Sequence, residues 1–390
     1  MAPLERRQVI AVFAPSYPPA FLGGGPARSV EALVAAAAVR HDIAVPAPDR
    51  DLGSSAPLPV DSNQWVSKDG VSVPYLSSGF RSTIAGFVSA RRRKPDLMYM
   101  NSFFDTRFSI LPHILWRFGF WRNPVRLMAP RGEMGAGAME RRPFKKKMYM
   151  VLFRILRLHR GLVWHASSSE EADDIRRHWG DNADIIIREN ETKLPKIASV
   201  PTLAPSGCPV RIVYLARIVE HKGLAIAIEA MASCTVQISF DILGNVEDAG
   251  YAAMCRNAVD ALPPNVNVRF RGPTQPESIR AILEHQDILV LPTAGENLAH
   301  AIAEALSASC IVIASHTTPW TTILRSGGGY AVSERTVGAW ERALKEFVNL
   351  DADSLLEGRL NAMLAYNRWR SKPQATHVFD QLRLRHSHNA

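Results

Sequence analysis

The chain has 390 residues, 47% of them hydrophobic and 21% charged, with a net charge of +9. That length exceeds one ordinary core and predicts two domains, while the composition excludes a disordered chain and no apolar run approaches the roughly 20 residues of a membrane span. Four scattered cysteines, Cys208, Cys234, Cys255 and Cys310, exclude a disulfide framework and a cysteine-based zinc site, and suit a reducing cytoplasm.

The N-terminus carries Arg6 and Arg7 before a short apolar run, Val9 to Ala14, that leads into Pro15 and Pro18. It reads as a first strand and not as a signal peptide. Then comes SYPPAFLGGGPARSVEALVAAAA, where Gly23, Gly24 and Gly25 make a flexible turn, Pro26 suits a helix start, and the helix runs on through Ala35. Such glycines permit close approach of backbone to a ligand, although neither a P-loop nor the dinucleotide-binding spacing follows. Strands are predicted near 9–14, 42–47, 97–101, 125–129, 161–166 and 183–188, then near 211–216, 236–243, 266–271, 287–291 and 310–314, alternating with helical stretches. This alternation predicts an α/β fold of two doubly wound parallel sheets, with ligands at strand C-terminal ends in the cleft between them. Asn190 to Pro209 is rich in Pro, Ser and Thr without periodicity and reads as a linker. The expected boundaries are a first domain over 1–190, a linker over 191–209, a second domain over 210–370, and a C-terminal helix and tail over 371–390 returning toward the first domain. From Thr336 onward the pattern is helical, and the final HSHNA is expected to fray.

The charge is unevenly placed. Residues 81–160 hold 18 Lys and Arg against four acids, Asp96, Asp105, Glu133 and Glu140, and the rest of the chain is net acidic. The tracts are Arg91 to Lys94 and Arg141 to Lys147, the second running into MYMVLFRILRLHR. That segment reads equally as a basic amphipathic helix for an anionic membrane surface and as a helix with one face in the core and a solvated charged face.

The candidate chemistry lies in the second half. Pro292 to Leu306, PTAGENLAHAIAEAL, follows the buried strand DILVL and opens into a helix with Leu298, Ile302, Ala305 and Leu306 at helical spacing. A strand, a polar turn and a helix start gather free backbone N–H groups and a positive dipole end, a place to hold a phosphate. Glu296 and Glu304 beside it suit sugar hydroxyls. Arg217 ends an earlier strand and Lys222 follows in the next turn; two cations there would neutralise a diphosphate leaving group. In the first half, Arg131 and Glu133 end the strand VRLMAP, either as contacts to an acceptor or as an Arg–Glu pair fixing a turn; Asn101, Ser102 and His165 also end strands, where each serves equally as a cap or a core hydrogen-bond partner.

The segments LARIVEHKGL, DILGNVED, DILVLPTAGENLAHAIAEALSAS and SHTTPW, with FAPSYPPAFLGGGPARSV, PDLMYMNSFF, MAPRGEMGAGAM and HASSSEEADDI in the first half, resemble the family 4 retaining glycosyltransferases, which have the GT-B fold of two Rossmann-like domains. The resemblance covers most of the chain. It implies that Arg217 and Lys222 bind the donor diphosphate, that Glu296 contacts the donor sugar, that Asn297 and Leu298 offer backbone N–H groups, and that Glu304 takes the ribose hydroxyls. It implies that Gly23 and Gly24 approach the donor from the opposite domain and that Arg131 and Glu133 line the acceptor side. It implies no metal and no cofactor, the nucleotide-sugar being a substrate. Three positions depart from the family pattern: Ala299 and Ser309 stand where glycines are common, and Arg188-Glu189-Asn190 where Pro-Asn-Gly is usual.

The resulting expectation is a hexosyltransferase that moves sugar from a nucleotide-sugar donor to a saccharide or lipid-linked acceptor with retention, in surface polysaccharide synthesis. Its location would be cytoplasmic, with the basic region on the inner face of the membrane. Two competitors are a nucleic-acid-binding protein using residues 81–160, against which stands the lack of aromatics interleaved with the basic tracts, and a catalytically silent sugar-nucleotide binder.

Overall fold

The computed structural model describes residues 6–140, 143–203, 205, 207–373 and 375–387. The chain divides into two compact units, Met1–Lys193 with Gln374–Ala390, and Leu194–Pro373.

Among the described residues the first unit holds a nine-stranded sheet. Its strands are β1 Val9–Phe13, β2 Asp42–Ala44, β3 Ala47–Pro48, β4 Trp65–Lys68, β5 Val71–Leu76, β6 Leu97–Asn101, β7 Val125–Ala129, β8 Leu162–Ala166 and β9 Asp184–Ile187. The order is β3-β5-β2-β1-β6-β7-β8-β9 and every pairing is parallel, except that β4 runs antiparallel on β5. The strands are apolar on both faces because each face has its own core. Ile10 and Val12 join Leu97, Tyr99 and Leu127 in one cluster; Ala11 and Phe13 join Met98, Met100 and Trp164 in another. The β4–β5 hairpin is an element the expected strands did not include. Its two-residue loop is Asp69-Gly70, both at positive φ (52° and 78°), the conformation such a tight hairpin demands.

The second unit holds a six-stranded parallel sheet among its described residues: β10 Val210–Leu215, β11 Ile238–Leu243, β12 Val266–Gly272, β13 Ile288–Leu291, β14 Ile311–Ser315 and β15 Gly329–Val332. The order β12-β11-β10-β13-β14-β15 is that of a doubly wound α/β sheet, with its switch point between β10 and β13. Strand β15 was also absent from the expected set.

Among the described residues of 191–209 there is no helix or strand, yet from Leu194 the segment is bound to the second unit. Tyr366 donates to the Pro195 carbonyl at 2.6 Å, Ala198 N donates to Asn367 at 2.9 Å, and Ser199 N donates to the Ser307 carbonyl at 2.9 Å. The chain then re-enters the first unit, where the helix Val378–Ser387 buries Val378, Phe379 and Leu382 in the same core as β1. Arg188 secures that return. Its side chain is buried, ion-paired with Glu191 at 2.5 Å, and donates to the Thr376 carbonyl at 3.0 Å. That is what stands at the first of the three positions where Pro-Asn-Gly is usual.

The helical stretch from Thr336 resolves into Val337–Val348, capped by the Thr336 hydroxyl, then Ala352–Arg370 and Val378–Ser387. The tail therefore stays helical through Ser387; the last three residues of HSHNA, and Arg141 and Arg142 of the basic tract, lie outside the described residues.

Candidate active site

The geometry of the second unit begins with its backbone. The chain leaves β10 through Ala216 and Arg217 and makes a short turn, Glu220–Lys222, closed by Gly223 at φ 74°. A Cβ on Gly223 would lie 2.1 Å from the Pro292 carbonyl oxygen, so only glycine lets this turn press on the segment leaving β13. Two further contacts tie the segments together: Ala294 N donates to the His221 carbonyl at 2.8 Å, and Arg335 donates to the Pro292 carbonyl at 2.9 Å. The result brings Lys222 Nζ within 2.5 Å of Glu296 Oε1, with the two side chains only 12% and 13% exposed.

A second close approach sets Arg217. Gly244, at φ 157°, faces the Ala216 carbonyl so tightly that a Cβ would come within 1.8 Å of its oxygen. Ile218 N then donates to the Asn245 carbonyl at 2.8 Å, and the loop after β11 carries Glu247 to the Arg217 guanidinium, where the two ion-pair. Each cation of the predicted pair thus has its own carboxylate, and the four groups sum to no net charge.

The loop from Thr293 to Ala299 is fixed from two sides. Thr293 Oγ1 donates to the Gly295 carbonyl at 3.0 Å, and the Trp320 indole donates to the Leu298 carbonyl. The helix is His300–Ser307, so Leu298 lies in the loop and not on the helix, a correction to the sequence pattern. Glu304 is one turn inside that helix and partly buried. Ala299 caps it at φ 55°, and Ser309 sits at φ 60°. Both departures from glycine therefore keep a left-handed backbone that costs a residue with a Cβ about 1 kcal/mol. Ser309 Oγ donates to the Ser199 carbonyl, which offsets part of that cost.

In the first unit the glycine turn is anchored by a residue the sequence pattern does not announce. Buried Asp51 accepts from Phe21 N at 2.8 Å and Leu22 N at 3.0 Å, ahead of Gly23 and of Gly24, which takes φ 67°. Arg131 and Glu133 bond elsewhere instead of to each other. Glu133 accepts from Ser102 Oγ at 2.7 Å, Phe103 N at 2.6 Å and Phe104 N at 3.1 Å, closing the turn after β6. Burial pushes its carboxyl above the usual range, against those hydrogen bonds. Arg131 has φ 57° and donates to Asn101 Oδ1 at 2.7 Å and to Tyr99 at 2.5 Å; its Nη1 is buried without a partner among the described residues. His165 is fully buried between Tyr99 and the Arg188 carbonyl, at 3.0 Å from each, and burial holds its pKa well down. The Gly132 amide is held by Glu171 at 2.6 Å, whose other carboxylate oxygen accepts from Ser167 N at 2.7 Å and whose own amide is capped by the Ser168 hydroxyl.

Residues 203–363 match the family described as Glycosyl transferases group 1. The matched stretch lies wholly within the second unit. The coarse activity follows: transfer of a sugar from a nucleotide-sugar donor. None of the curated proteins matches the sequence. Solved structures agree on the fold, which is GT-B. Sucrose-phosphate synthase from Thermosynechococcus elongatus superposes with TM-score 0.71 at 16% identity, covering 98% of this chain and 99% of its own. Anabaena HepE in complex with UDP-glucose does so at 0.68 and 12% identity, covering 98% and 100%. WaaG, a glycosyltransferase of lipopolysaccharide biosynthesis, gives 0.63 at 11%, covering 94% and 95%. Lys222 and Glu296 meet beside the switch point between β10 and β13, and Arg217 follows the end of β10; the switch point is where an open α/β sheet commonly binds its ligand.

Proposed function

We propose that this protein is a retaining, metal-independent hexosyltransferase. The observation that carries the reading is the contact between Lys222 and Glu296 at the switch point of the second sheet, with Arg217 at the end of the neighbouring strand. A cation beside a carboxylate suits a ligand that is anionic at one end and rich in hydroxyls at the other. Lys222 and Arg217 neutralise the donor diphosphate, Glu296 orients the hexose, Asn297 and Leu298 add backbone N–H groups, and Glu304 takes the ribose. Gly23 and Gly24 are further donor contacts. On the acceptor side Arg131 is the stronger candidate, having a strained backbone and an Nη1 without a partner among the described residues, whereas the Glu133 carboxylate is already engaged in a turn.

The reaction runs by front-face displacement. As the bond from the anomeric carbon to the diphosphate breaks, its electron pair stays on the departing phosphate oxygen, which takes the acceptor hydroxyl proton while the new glycosidic bond forms on the same face. Fixed cations aimed at that oxygen stabilise the charge where it develops. The acceptor is a saccharide or a lipid-linked saccharide in surface polysaccharide synthesis, and the protein works in the cytoplasm at the membrane's inner face. Because HepE is solved with UDP-glucose, UDP-hexoses are the first donors to test.

The experiment is a thermal-shift screen against UDP, GDP, ADP and their hexoses, followed by release of nucleoside diphosphate from the stabilising donor. Wild-type protein should be stabilised by one nucleotide series, and Lys222→Ala or Glu296→Ala should abolish turnover. Near-normal turnover in both variants would remove the assignment.

A further inference from the structure

The helix Pro143–Ile155 has two apolar faces. One packs in the core through Met150 and Phe153, with Lys146 donating to the Ala138 carbonyl at 2.7 Å on the same side. The other faces solvent: Phe144 is 79% exposed, Met148 51%, Val151 52%, Leu152 47% and Ile155 67%. At 100° per residue these five fall within an arc of about 100°, opposite Phe153. A solvated helix face is normally polar; five large apolar side chains in one stripe are a patch that calls for a partner. Phe118, 77% exposed, follows Arg117, whose Nε donates to the Leu156 carbonyl, so another apolar residue lies at the same end.

Charge selects the partner. Lys145 borders the stripe on one side and Lys147 on the other, both exposed, and Arg157 and Arg160 are exposed just beyond the helix. Three of the four acids of residues 81–160 are engaged within the fold: Asp96 holds Val9 N, Asp105 caps the turn at Thr106, and Glu133 closes the turn after β6. The stripe is aliphatic apart from Phe144, which disfavours base stacking and a nucleic acid.

We infer that the helix Pro143–Ile155 lies in the plane of an anionic lipid surface, inserting Phe144, Met148, Val151, Leu152 and Ile155 among the acyl chains while Lys145 and Lys147 meet the headgroups. The earlier ambiguity between a core helix and a membrane helix resolves into both, on opposite faces. This placement specifies the membrane part of the function proposed above. It is tested without turnover, so its failure leaves the donor site untouched.

The full-length chain is floated with phosphatidylcholine vesicles, with and without phosphatidylglycerol, at low and high salt. Val151→Glu combined with Ile155→Glu is compared with wild type, and an unchanged melting temperature confirms that this exposed pair does not support the fold. Wild type should float with the anionic vesicles only, and less at high salt, while the double variant should partition at least about tenfold more weakly. Equal indifference of wild type to both vesicles overturns the inference, as does flotation that survives the double substitution. A dimer abolished by the same substitutions, or oligonucleotide binding without flotation, would assign the face to another partner and overturn it as well.

Discussion

The Lys222–Glu296 pair makes a prediction with opposite signs for two ligands. At 2.5 Å, with both side chains about seven-eighths buried, the pair lies between an exposed ion pair, worth about 0–1 kcal/mol, and a fully buried one, whose breaking costs about 3–5 kcal/mol. Lys222→Met or Glu296→Gln alone should therefore destabilise by about 2 kcal/mol, because each leaves one charge without its partner. Both together should cost about 1–2 kcal/mol, leaving a coupling of about 2–3 kcal/mol. In a unit of this size each single change lowers the melting temperature by roughly 4–8 °C in calorimetry. On the proposed function the same pair is exchanged when a diphosphate arrives, so Glu296→Gln should tighten UDP binding by freeing Lys222, while reducing the advantage of a UDP-hexose over UDP. Lys222→Met should weaken both. Isothermal titration separates the cases. Additive single substitutions, or a Glu296→Gln variant that loses UDP affinity as Lys222→Met does, would refute the reasoning.

Gly223→Ala should destabilise the second unit by about 3 kcal/mol or more, because its Cβ meets backbone, not a yielding side chain; urea unfolding checks it, and a loss under about 1 kcal/mol would mean the turn relaxes freely. Ala299→Gly should stay within about 0.5 kcal/mol of wild type, since relief of left-handed strain offsets the greater freedom of glycine in the unfolded chain. Ser309→Gly should destabilise by about 1 kcal/mol because it also deletes the hydroxyl bonded to Ser199; equal shifts in the two variants would contradict the distinction. In the first unit, burial lowers His113 to about 3 and His377 to about 4, the latter helped by Arg188, from an ordinary 6.5. Both folded values lie below the unfolded one, so this stability is complete above about pH 6.5 and is lost on acidification toward about pH 4, by up to about 1.4 kcal/mol per group per pH unit. Calorimetry from pH 7 to 5 should show that unit's transition falling, and His377→Gln should flatten the fall; a transition fixed across that range would exclude it.

Where the structure matched the sequence, it did so for a physical reason. Strands such as β13 and β14 are buried on both faces, so their runs are continuously apolar and bounded by polar turns. Strand β5 escaped because Pro74 interrupts it, and β15 because Gly328 and Gly329 open it, although Asp69-Gly70 was a readable hairpin signal. At the candidate site, Arg217, Lys222 and Glu296 stand out because charge soon after an apolar strand is conspicuous, and Glu304 because it is an acid on a mostly apolar helix. Their setting does not. Glu247, Arg335 and Asp51 act through contacts 30 or more positions along the chain, and nothing local marks them. The close approaches of Gly223 to Pro292 and of Gly244 to Ala216 join separate strands in the same way.

The return of the chain at Gln374 has a consequence for biosynthesis. Val378, Phe379 and Leu382 complete a core begun by Ile10 and Val12, yet they leave the ribosome only after every residue of the other unit. The half made first is thus finished last, and until then it keeps an unfilled apolar hollow that a truncated product would retain for good.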